Sequence, residues 1–157
     1  MLPKYILALG CALLLGQHVA FAKDSSTSYS IGLAPVSNQL NQPSVSTILV
    51  DSNGFLWVGT QHGLHRSDGS EVTLFSADHE SDHYTPNGDI SDIAEDKDGS
   101  IWIATYGGGL AKTDRSHENF KAVRTDTHSD FKFLTAIHIL NNGRVLLNTR
   151  DAGISEY

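Results

Sequence analysis

The sequence has very little cysteine and no clusters of positive charge. Cys11 is the only cysteine among 157 residues, so a disulfide framework and a cysteine-based metal site are both excluded. The formal net charge is −7, and no segment concentrates its Lys and Arg residues. Nucleic acid and anionic membrane surfaces are therefore poor candidates for partners.

Long apolar runs and helical periodicity are also lacking. The longest apolar run covers Tyr5 to Leu15, which is too short to span a bilayer comfortably. It follows one lysine and precedes Ala20-Phe21-Ala22, a small-x-small pattern that signal peptidase cuts. We predict that residues 1–22 are a signal peptide, cleaved between Ala22 and Lys23, with a membrane anchor or a buried helix as the alternative. The protein is therefore expected to be exported to the periplasm.

What the sequence does have is an internal repeat. The turn glycines Gly54, Gly99 and Gly143 lie 45 and 44 residues apart. Each has an isoleucine six residues before it and a threonine six residues after it. The recurring positions are Gly54, Trp57 and Thr60 in the first unit, Gly99, Trp102 and Thr105 in the second, and Gly143 and Thr149 in the third.

Each unit is predicted to form consecutive antiparallel strands. A strand rich in β-branched residues precedes an Asn-Gly or Asp-Gly turn, and a short apolar strand follows it. A third strand begins at Gly63, Gly109 or Gly153, and a fourth begins at Val72 or Phe120. Four short strands in each repeat are typical of one blade of a β-propeller.

The predicted fold is therefore all-β, built from four-stranded antiparallel propeller blades. A lead-in segment at 23–44 precedes repeat 1 at 45–89, repeat 2 at 90–133 and a partial repeat 3 at 134–157. About two and three-quarter blades are present, whereas a closed propeller needs about four to eight. The chain is expected to be an incomplete propeller, either a fragment of a longer protein or a truncated product.

Two stretches, beginning at Asp51 and Asp96, resemble the two-component regulator propeller repeat. In outline, that pattern is Asp-x-x-Gly-x-Leu-Trp-Ile-Gly-Thr followed by Gly-Gly-Leu. The third repeat departs from it, since Leu140, Leu146 and Asn148 replace the Asp, the Trp and the Gly.

The resemblance implies a ligand-sensing propeller in the periplasmic part of a membrane-anchored, dimeric signalling protein. The output domain of such a protein is a histidine kinase or a diguanylate cyclase, so no catalysis is expected from the blades themselves. No cofactor is expected either. The implied partner is an extracytoplasmic ligand, with carbohydrate as a candidate because some members bind polysaccharide fragments.

The candidate ligand-binding residues are His62, His65 and Tyr106, which flank the turn after the second strand of repeats 1 and 2. Trp57 and Trp102 are an alternative stacking platform for carbohydrate. Their recurrence within an apolar strand favours packing between blades instead. No catalytic residue and no metal ligand is assigned.

Two short motifs match metal-site patterns. His79-Glu80-Ser81-Asp82-His83 matches the zinc-protease pattern, which works only on a helix, whereas this segment follows a strand and precedes a loop. We interpret it as a surface loop between blades. Asp96-Lys97-Asp98-Gly99 begins like a calcium loop, but a strand resumes at Ile101, so a turn is predicted.

Other functions stay open on the sequence. One is a secreted interaction propeller, or the inert product of a truncated gene. Another is a propeller glycosidase or lyase. The sialidase-type box Ser-x-Asp-x-Gly-x-x-Trp is not matched, because an Asn or Asp directly precedes the turn glycine here.

An open propeller should unfold with little cooperativity, because its terminal blades leave apolar faces and strand edges uncovered. We expect thermal melting of residues 23–157 to give a broad transition or aggregation. A sharp melt of a monomer would contradict the open-propeller interpretation.

Overall fold

The computed structural model describes residues 30–40, 44–78, 83, 85–113, 116–124 and 129–157. The predicted signal peptide and its cleavage site at Ala22 and Lys23 lie outside the described residues, as do His79 to Asp82 of the zinc-protease pattern. The chain divides into two units, Met1–Gly32 and Leu33–Tyr157, and every described helix and strand belongs to the second.

The described residues form eleven strands in three antiparallel sheets, which we call blades 1, 2 and 3. Blade 1 contains β1 (Val45–Val50), β2 (Leu56–Thr60), β3 (Gly63–Ser67) and β4 (Val72–Phe75). Blade 2 contains β5 (Ile90–Glu95), β6 (Ile101–Thr105), β7 (Gly109–Thr113) and β8 (Phe120–Ala122). Blade 3 contains β9 (Leu134–Ile139), β10 (Val145–Thr149) and β11 (Gly153–Glu156).

Helix is scarce in the described part of the chain. Two short 3-10 helices cover Pro35–Asn38 and Ser129–Lys132. Within the described ranges, no helix has the length and apolar character needed to cross a membrane. The all-β architecture of antiparallel sheets predicted from the repeat is confirmed.

Each blade begins with the same hairpin. In blade 1, the Gly54 amide donates to the Asp51 carbonyl and the Asp51 amide donates to the Phe55 carbonyl. The same two hydrogen bonds form at the equivalent positions in the other blades, within residues 96–100 of blade 2 and within residues 140–144 of blade 3. Gly54, Gly99 and Gly143 adopt φ values of 88°, 81° and 87°, which glycine reaches without strain. Repeat 3 thus keeps the hairpin despite its divergent sequence.

A buried carboxylate joins the first hairpin to its tryptophan. Asp51 Oδ1 accepts the amides of Asn53 and Phe55 at 3.0 and 2.9 Å, and Asp51 Oδ2 accepts the Trp57 indole N–H at 2.8 Å. Asp51 is buried, and all three of these donors are satisfied by its carboxylate. The side chain therefore fixes both the turn and the orientation of the indole.

Blade 2 repeats this arrangement. Asp96 Oδ1 accepts the amides of Asp98 and Ser100 at 2.9 and 3.0 Å, and Asp96 Oδ2 accepts the Trp102 indole N–H at 2.9 Å. In blade 3 both partners are leucine, at 140 and 146. Two of the three replacements that set repeat 3 apart, Leu140 and Leu146, therefore remove one interaction together.

A threonine closes the turn at the other end of each blade. Its hydroxyl donates to a glycine carbonyl, from Thr60 to Gly63 at 2.9 Å, Thr105 to Gly109 at 2.8 Å and Thr149 to Gly153 at 3.1 Å. The same threonine hydroxyl oxygen also accepts a hydrogen bond from a backbone amide of the turn in each blade. The recurring threonine is therefore a turn residue in all three repeats.

The blades pack face to face. Between blades 1 and 2 the core contains Trp57, Leu64, Phe75, Ile90, Ile93, Ile101, Ile103, Ala111 and Phe120. Between blades 2 and 3 it contains Trp102, Ala104, Leu110, Leu134, Ile137, Val145 and Leu147. Each tryptophan of the repeat thus lies in the interface with the following blade.

Breaking the Asp51–Trp57 hydrogen bond is expected to loosen the first hairpin. Asp51→Asn replaces one acceptor oxygen by an amide group, which leaves a buried donor unsatisfied at a cost of about 1–3 kcal/mol. We expect exchange of the Gly54 amide with solvent to accelerate about tenfold or more. Native-state hydrogen exchange measures this rate.

Asp98→Asn provides a matched control, since Asp98 is an exposed aspartate in the equivalent turn of blade 2. It should leave exchange of the Gly99 amide within about a factor of two. Equal acceleration by the two substitutions would refute the role given to the indole bond.

Candidate functional site

Polar residues converge at one end of the blades. This connection end is formed by the β2–β3, β6–β7 and β10–β11 turns and by the segments that lead from one blade to the next. The opposite end, formed by the β1–β2, β5–β6 and β9–β10 hairpins, we call the hairpin end.

Two repeat positions at the connection end differ in chemistry from blade to blade. The residue after the turn threonine is Gln61, Tyr106 or Arg150. The residue directly before the first strand of each blade is Ser44, Asp89 or Phe133. Constant turn residues therefore hold side chains of variable chemistry at one end of the repeat, which is typical of binding surfaces on a rigid scaffold.

Tyr106 is the centre of this surface. Its ring lies 5.0 Å from the Phe133 ring, measured between centroids, and the Arg150 guanidinium lies 5.7 Å from the Tyr106 ring centroid. Arg150 also donates a hydrogen bond to the Tyr106 hydroxyl. Blade 3 thus supplies a cation and an aromatic ring to a tyrosine of blade 2.

The backbone around Tyr106 is held from two sides. The Tyr106 amide donates to the Asp89 carbonyl at 2.8 Å, and the Gly107 amide donates to the Lys132 carbonyl at 2.6 Å. A Cβ atom on Gly108 would lie 2.4 Å from the Cβ of Asn87, so only glycine fits there. The glycine cluster after Tyr106 therefore permits close packing of the turn against the connection between blades 1 and 2.

A polar groove of about 350 Å³ runs beside Tyr106, between blades 1 and 2. Its lining residues mostly carry hydroxyl, amide or carboxyl groups: Ser44, Ser46, Gln61, Asp89, Ile90, Ser91 and Tyr106. Ser46 Oγ lies 2.9 Å from the Gly59 carbonyl oxygen and 2.5 Å from the Ile90 carbonyl oxygen, so this hydroxyl ties the two blades together at the base of the groove. The groove thus presents several hydrogen-bonding side chains beside one aromatic ring.

Asp89 is the acidic group of the groove. Partial burial raises the pKa of its carboxyl, and the nearby charge of His62 lowers it by a smaller amount. The Asp89 amide donates to the Asn87 side-chain oxygen at 2.7 Å, which fixes the backbone that carries the carboxyl. Asp89 can therefore accept hydrogen bonds from a ligand at an acidic site of restricted solvation.

The structure separates the three predicted ligand residues. His62 and Tyr106 both lie at the connection end, with His62 exposed. His65 lies within β3, opposite Val58 and Leu74, and is 2% exposed. Burial lowers the pKa of its imidazole. Ligand binding by these three residues stays a prediction.

The sequence-based choice of residues omitted several that line or border the groove, namely Ser44, Ser46, Gln61, Asp89, Ser91, Phe133 and Arg150. The signal that could have found most of them is the repeat itself. Gln61 and Arg150 occupy the same repeat position as Tyr106, directly after the turn threonine.

His83 is the described histidine of the zinc-protease pattern. Its ring packs 5.1 Å from the Phe75 ring, and its Nδ1 lies 3.3 Å from the Glu118 carbonyl oxygen. Among the residues that the structure describes, no group of three or more His, Cys, Asp or Glu side chains is placed to hold a metal ion.

The repeats match a known family model. Residues 39–62 and 85–107 match the two component regulator propeller, which confirms the resemblance found at Asp51 and Asp96. The matched segments contain both Asp–Trp pairs. No curated protein matches the chain in sequence.

Solved structures share the fold. The extracellular domain of BT4673 from B. thetaiotaomicron, described as part of a hybrid two component system, superposes with a TM-score of 0.65 at 22% identity, over 82% of this chain and 18% of that one. The extracellular domain of BT3049 from the same organism is also described as part of a hybrid two component system. It superposes with a TM-score of 0.65 at 21% identity, over 74% of this chain and 17% of that one. PorZ, a surface component of the type-IX secretion system of Porphyromonas gingivalis, superposes with a TM-score of 0.59 at 21% identity, over 75% of this chain and 18% of that one.

These likenesses confirm the prediction of propeller blades. The chain spans less than a fifth of the length of each of these three structures.

Asp89 should make a small pH-dependent contribution to stability. Because its pKa is raised above the ordinary value of 3.8 in the folded chain, the protonated form favours folding, and this contribution is lost as the pH rises through the folded pKa. Asp89→Asn should therefore raise the midpoint of thermal unfolding at pH 7 and leave it unchanged near pH 3, a contrast that a broad transition can still show.

Thermal melting at the two pH values measures this difference. Asp151→Asn is the control, because Asp151 is an exposed carboxylate at the same end of the blades. If the two variants shift the melting temperature alike at pH 7, the effect assigned to burial of Asp89 is wrong.

Proposed function

We propose that this chain, two repeats of which match the two component regulator propeller family, is part of the ligand-sensing region of a bacterial signalling protein. The match of the repeats carries the proposal. The extracellular domains of two hybrid two component proteins have the same fold, which supports it. The blades bind and do not catalyse, and kinase or cyclase activity belongs to another part of a longer protein.

Two exposed apolar side chains, one on blade 1 and one on blade 3, support the proposal that the chain is part of a longer protein. Ile48 of blade 1 is 68% exposed, whereas Ile93 and Ile137, at the same repeat position in blades 2 and 3, are 6% and 7% exposed because a preceding blade covers them. Fully burying an isoleucine stabilises a fold by about 1.5–3 kcal/mol. A further blade packed on β1 would gain this free energy.

An exposed apolar residue of β11 likewise supports a further blade packed on blade 3. Ile154 of β11 is 79% exposed, whereas Leu64 and Leu110, at the same repeat position, are buried against the following blade. We therefore propose that blades 1 and 3 each pack against a further blade of the parent protein. That parent would be anchored in the membrane, dimeric, and exposed to the periplasm by the signal peptide at 1–22.

The groove beside Tyr106 is the proposed sensing site, and its chemistry suits a carbohydrate. Serine, glutamine and aspartate side chains can hydrogen-bond several sugar hydroxyls, and the face of Tyr106 offers an apolar surface to a sugar ring. Arg150 donates a hydrogen bond to the Tyr106 hydroxyl and carries a positive charge, so acidic sugars are proposed as ligands as well as neutral ones. The exposed His62 borders the same surface.

Three alternatives predict different behaviour. A secreted interaction module would bind a protein at this end and no sugar, and an inert truncated product would bind neither. A glycosidase or lyase would consume the saccharide that it binds, which a sensing site would release unchanged.

Binding of oligosaccharides tests the proposal. We expect the chain to bind at least one member of an immobilised panel of neutral and uronic-acid-containing oligosaccharides. Tyr106→Ala should weaken that binding at least tenfold, or about 1.4 kcal/mol, because it removes the ring at the centre of the groove. Tyr106→Phe should retain most of the binding to neutral sugars.

Lys97→Ala at the hairpin end serves as the control and should change binding less than twofold. Circular dichroism of each variant checks that the blades remain folded. A chain that binds no sugar in the panel, or a Tyr106→Ala variant that binds as well as the parent chain, would count against a saccharide-sensing groove.

A further inference from the structure

A histidine from blade 2 fills a pocket on blade 1 at the hairpin end. His117 lies in the β7–β8 loop and is 4% exposed. Its Nε2 lies 2.6 Å from the Gly99 carbonyl oxygen, and its Nδ1 lies 3.9 Å from Asp51 Oδ2. Its ring meets the Trp57 ring edge-on at 5.8 Å between centroids.

The backbone of this histidine is held as well. Arg66 donates to the His117 carbonyl oxygen at 2.9 Å while its guanidinium lies over the rings of Phe55, Trp57 and Phe75. His117 has a φ of 55°, a conformation that histidine adopts more readily than most other residues. The loop thus uses a specific backbone shape to place an imidazole between Asp51, Trp57 and Gly99.

Every partner of His117 has a counterpart one blade further along. Asp96, Trp102, Lys112 and Gly143 occupy the repeat positions of Asp51, Trp57, Arg66 and Gly99. All four line a cavity of about 510 Å³ between the β5–β6 and β9–β10 hairpins. Gly143 has the backbone conformation of Gly99, with φ values of 87° and 81°.

The charges in this cavity fit an incoming imidazole. Lys112 Nζ lies 2.8 Å from Asp96 Oδ2 and 4.5 Å from the centroid of the Trp102 ring. Burial raises the pKa of Asp96, but hydrogen bonds from Lys112, Trp102 and two backbone amides outweigh it and bring the pKa to about 2. The carboxylate is therefore ionised at neutral pH and can accept a ring N–H.

We propose that the cavity beside Trp102 binds a histidine presented by a loop whose following strand pairs with the free edge of β11. The inference rests on the proposed function, because the loop and strand belong to the same longer protein. The histidine would donate from one ring nitrogen to the Gly143 carbonyl, as His117 Nε2 does to the Gly99 carbonyl, and its other ring nitrogen would face Asp96. Lys112 would then turn from Asp96 toward the carbonyl of the incoming residue, which is the role of Arg66 in blade 1.

An extension of the chain tests this directly. Tyr157 occupies the repeat position of Thr113, so residues 114–123 of this chain, appended after Tyr157, would place a copy of the His117 loop in register with the cavity. A matched extension carries alanine in place of its histidine. The full chain is used throughout.

The readout is the indole N–H signal of Trp102 in nitrogen–proton correlation spectra. The chain has only two tryptophans, so Trp102→Phe assigns the signal by removing it. We expect the histidine extension to shift this signal and to slow its exchange with solvent at least tenfold relative to the unextended chain. The alanine extension should slow it less than threefold.

Several results would overturn the inference. Equal protection of Trp102 by both extensions would mean that strand pairing alone covers the indole. Unchanged exchange with the histidine extension, or a β11 edge whose amides stay unprotected in both, would show that the cavity takes no such loop. Failure of the sensing proposal is separate, since it is scored by saccharide binding at the opposite end of the blades.

Discussion

The hydrogen bond from a tryptophan indole to an aspartate carboxylate is the interaction on which blades 1 and 2 depend. One carboxylate satisfies two amides of the turn and the indole of the next strand. Because a buried donor left unsatisfied costs about 1–3 kcal/mol, the turn and the indole hold each other in place. The oriented indole then forms part of the wall against which the following blade packs.

Blade 3 shows how a repeat survives without this bond. Leu140 and Leu146 replace both partners together, so neither a lone carboxylate nor a lone indole is left in the hairpin. The turn is kept by the left-handed Gly143 and by two backbone hydrogen bonds, from the Leu140 amide to the Arg144 carbonyl and from the Gly143 amide to the Leu140 carbonyl. Replacing a polar pair by an apolar pair is tolerated where replacing one partner is not.

The sequence was sufficient to predict the strands, since the turn glycine, the β-branched inner strand and the turn threonine are local signals. The positions of Tyr106 and His62 beside a turn were predictable for the same reason. The partners of Tyr106 were not, because Arg150 is 44 residues away and contacts it only once blades 2 and 3 are packed together. His65 was misleading in a different way, because it lies two residues inside β3, where the sheet buries it.

The position of the groove follows from how the blades support one another. In a repeat fold, stability comes from each unit and from its contacts with neighbouring units. Blade 2 is covered on both faces, and Asp92 in β5 accepts hydrogen bonds from Thr47 of blade 1 and from the Ile137 amide of blade 3. Tyr106 and Asp89 belong to this doubly supported blade or to the segment that leads into it. A binding site gains most from rigidity, and the groove proposed as such a site lies beside the best-supported sheet. The exposed isoleucines lie on the outer faces of the neighbouring blades.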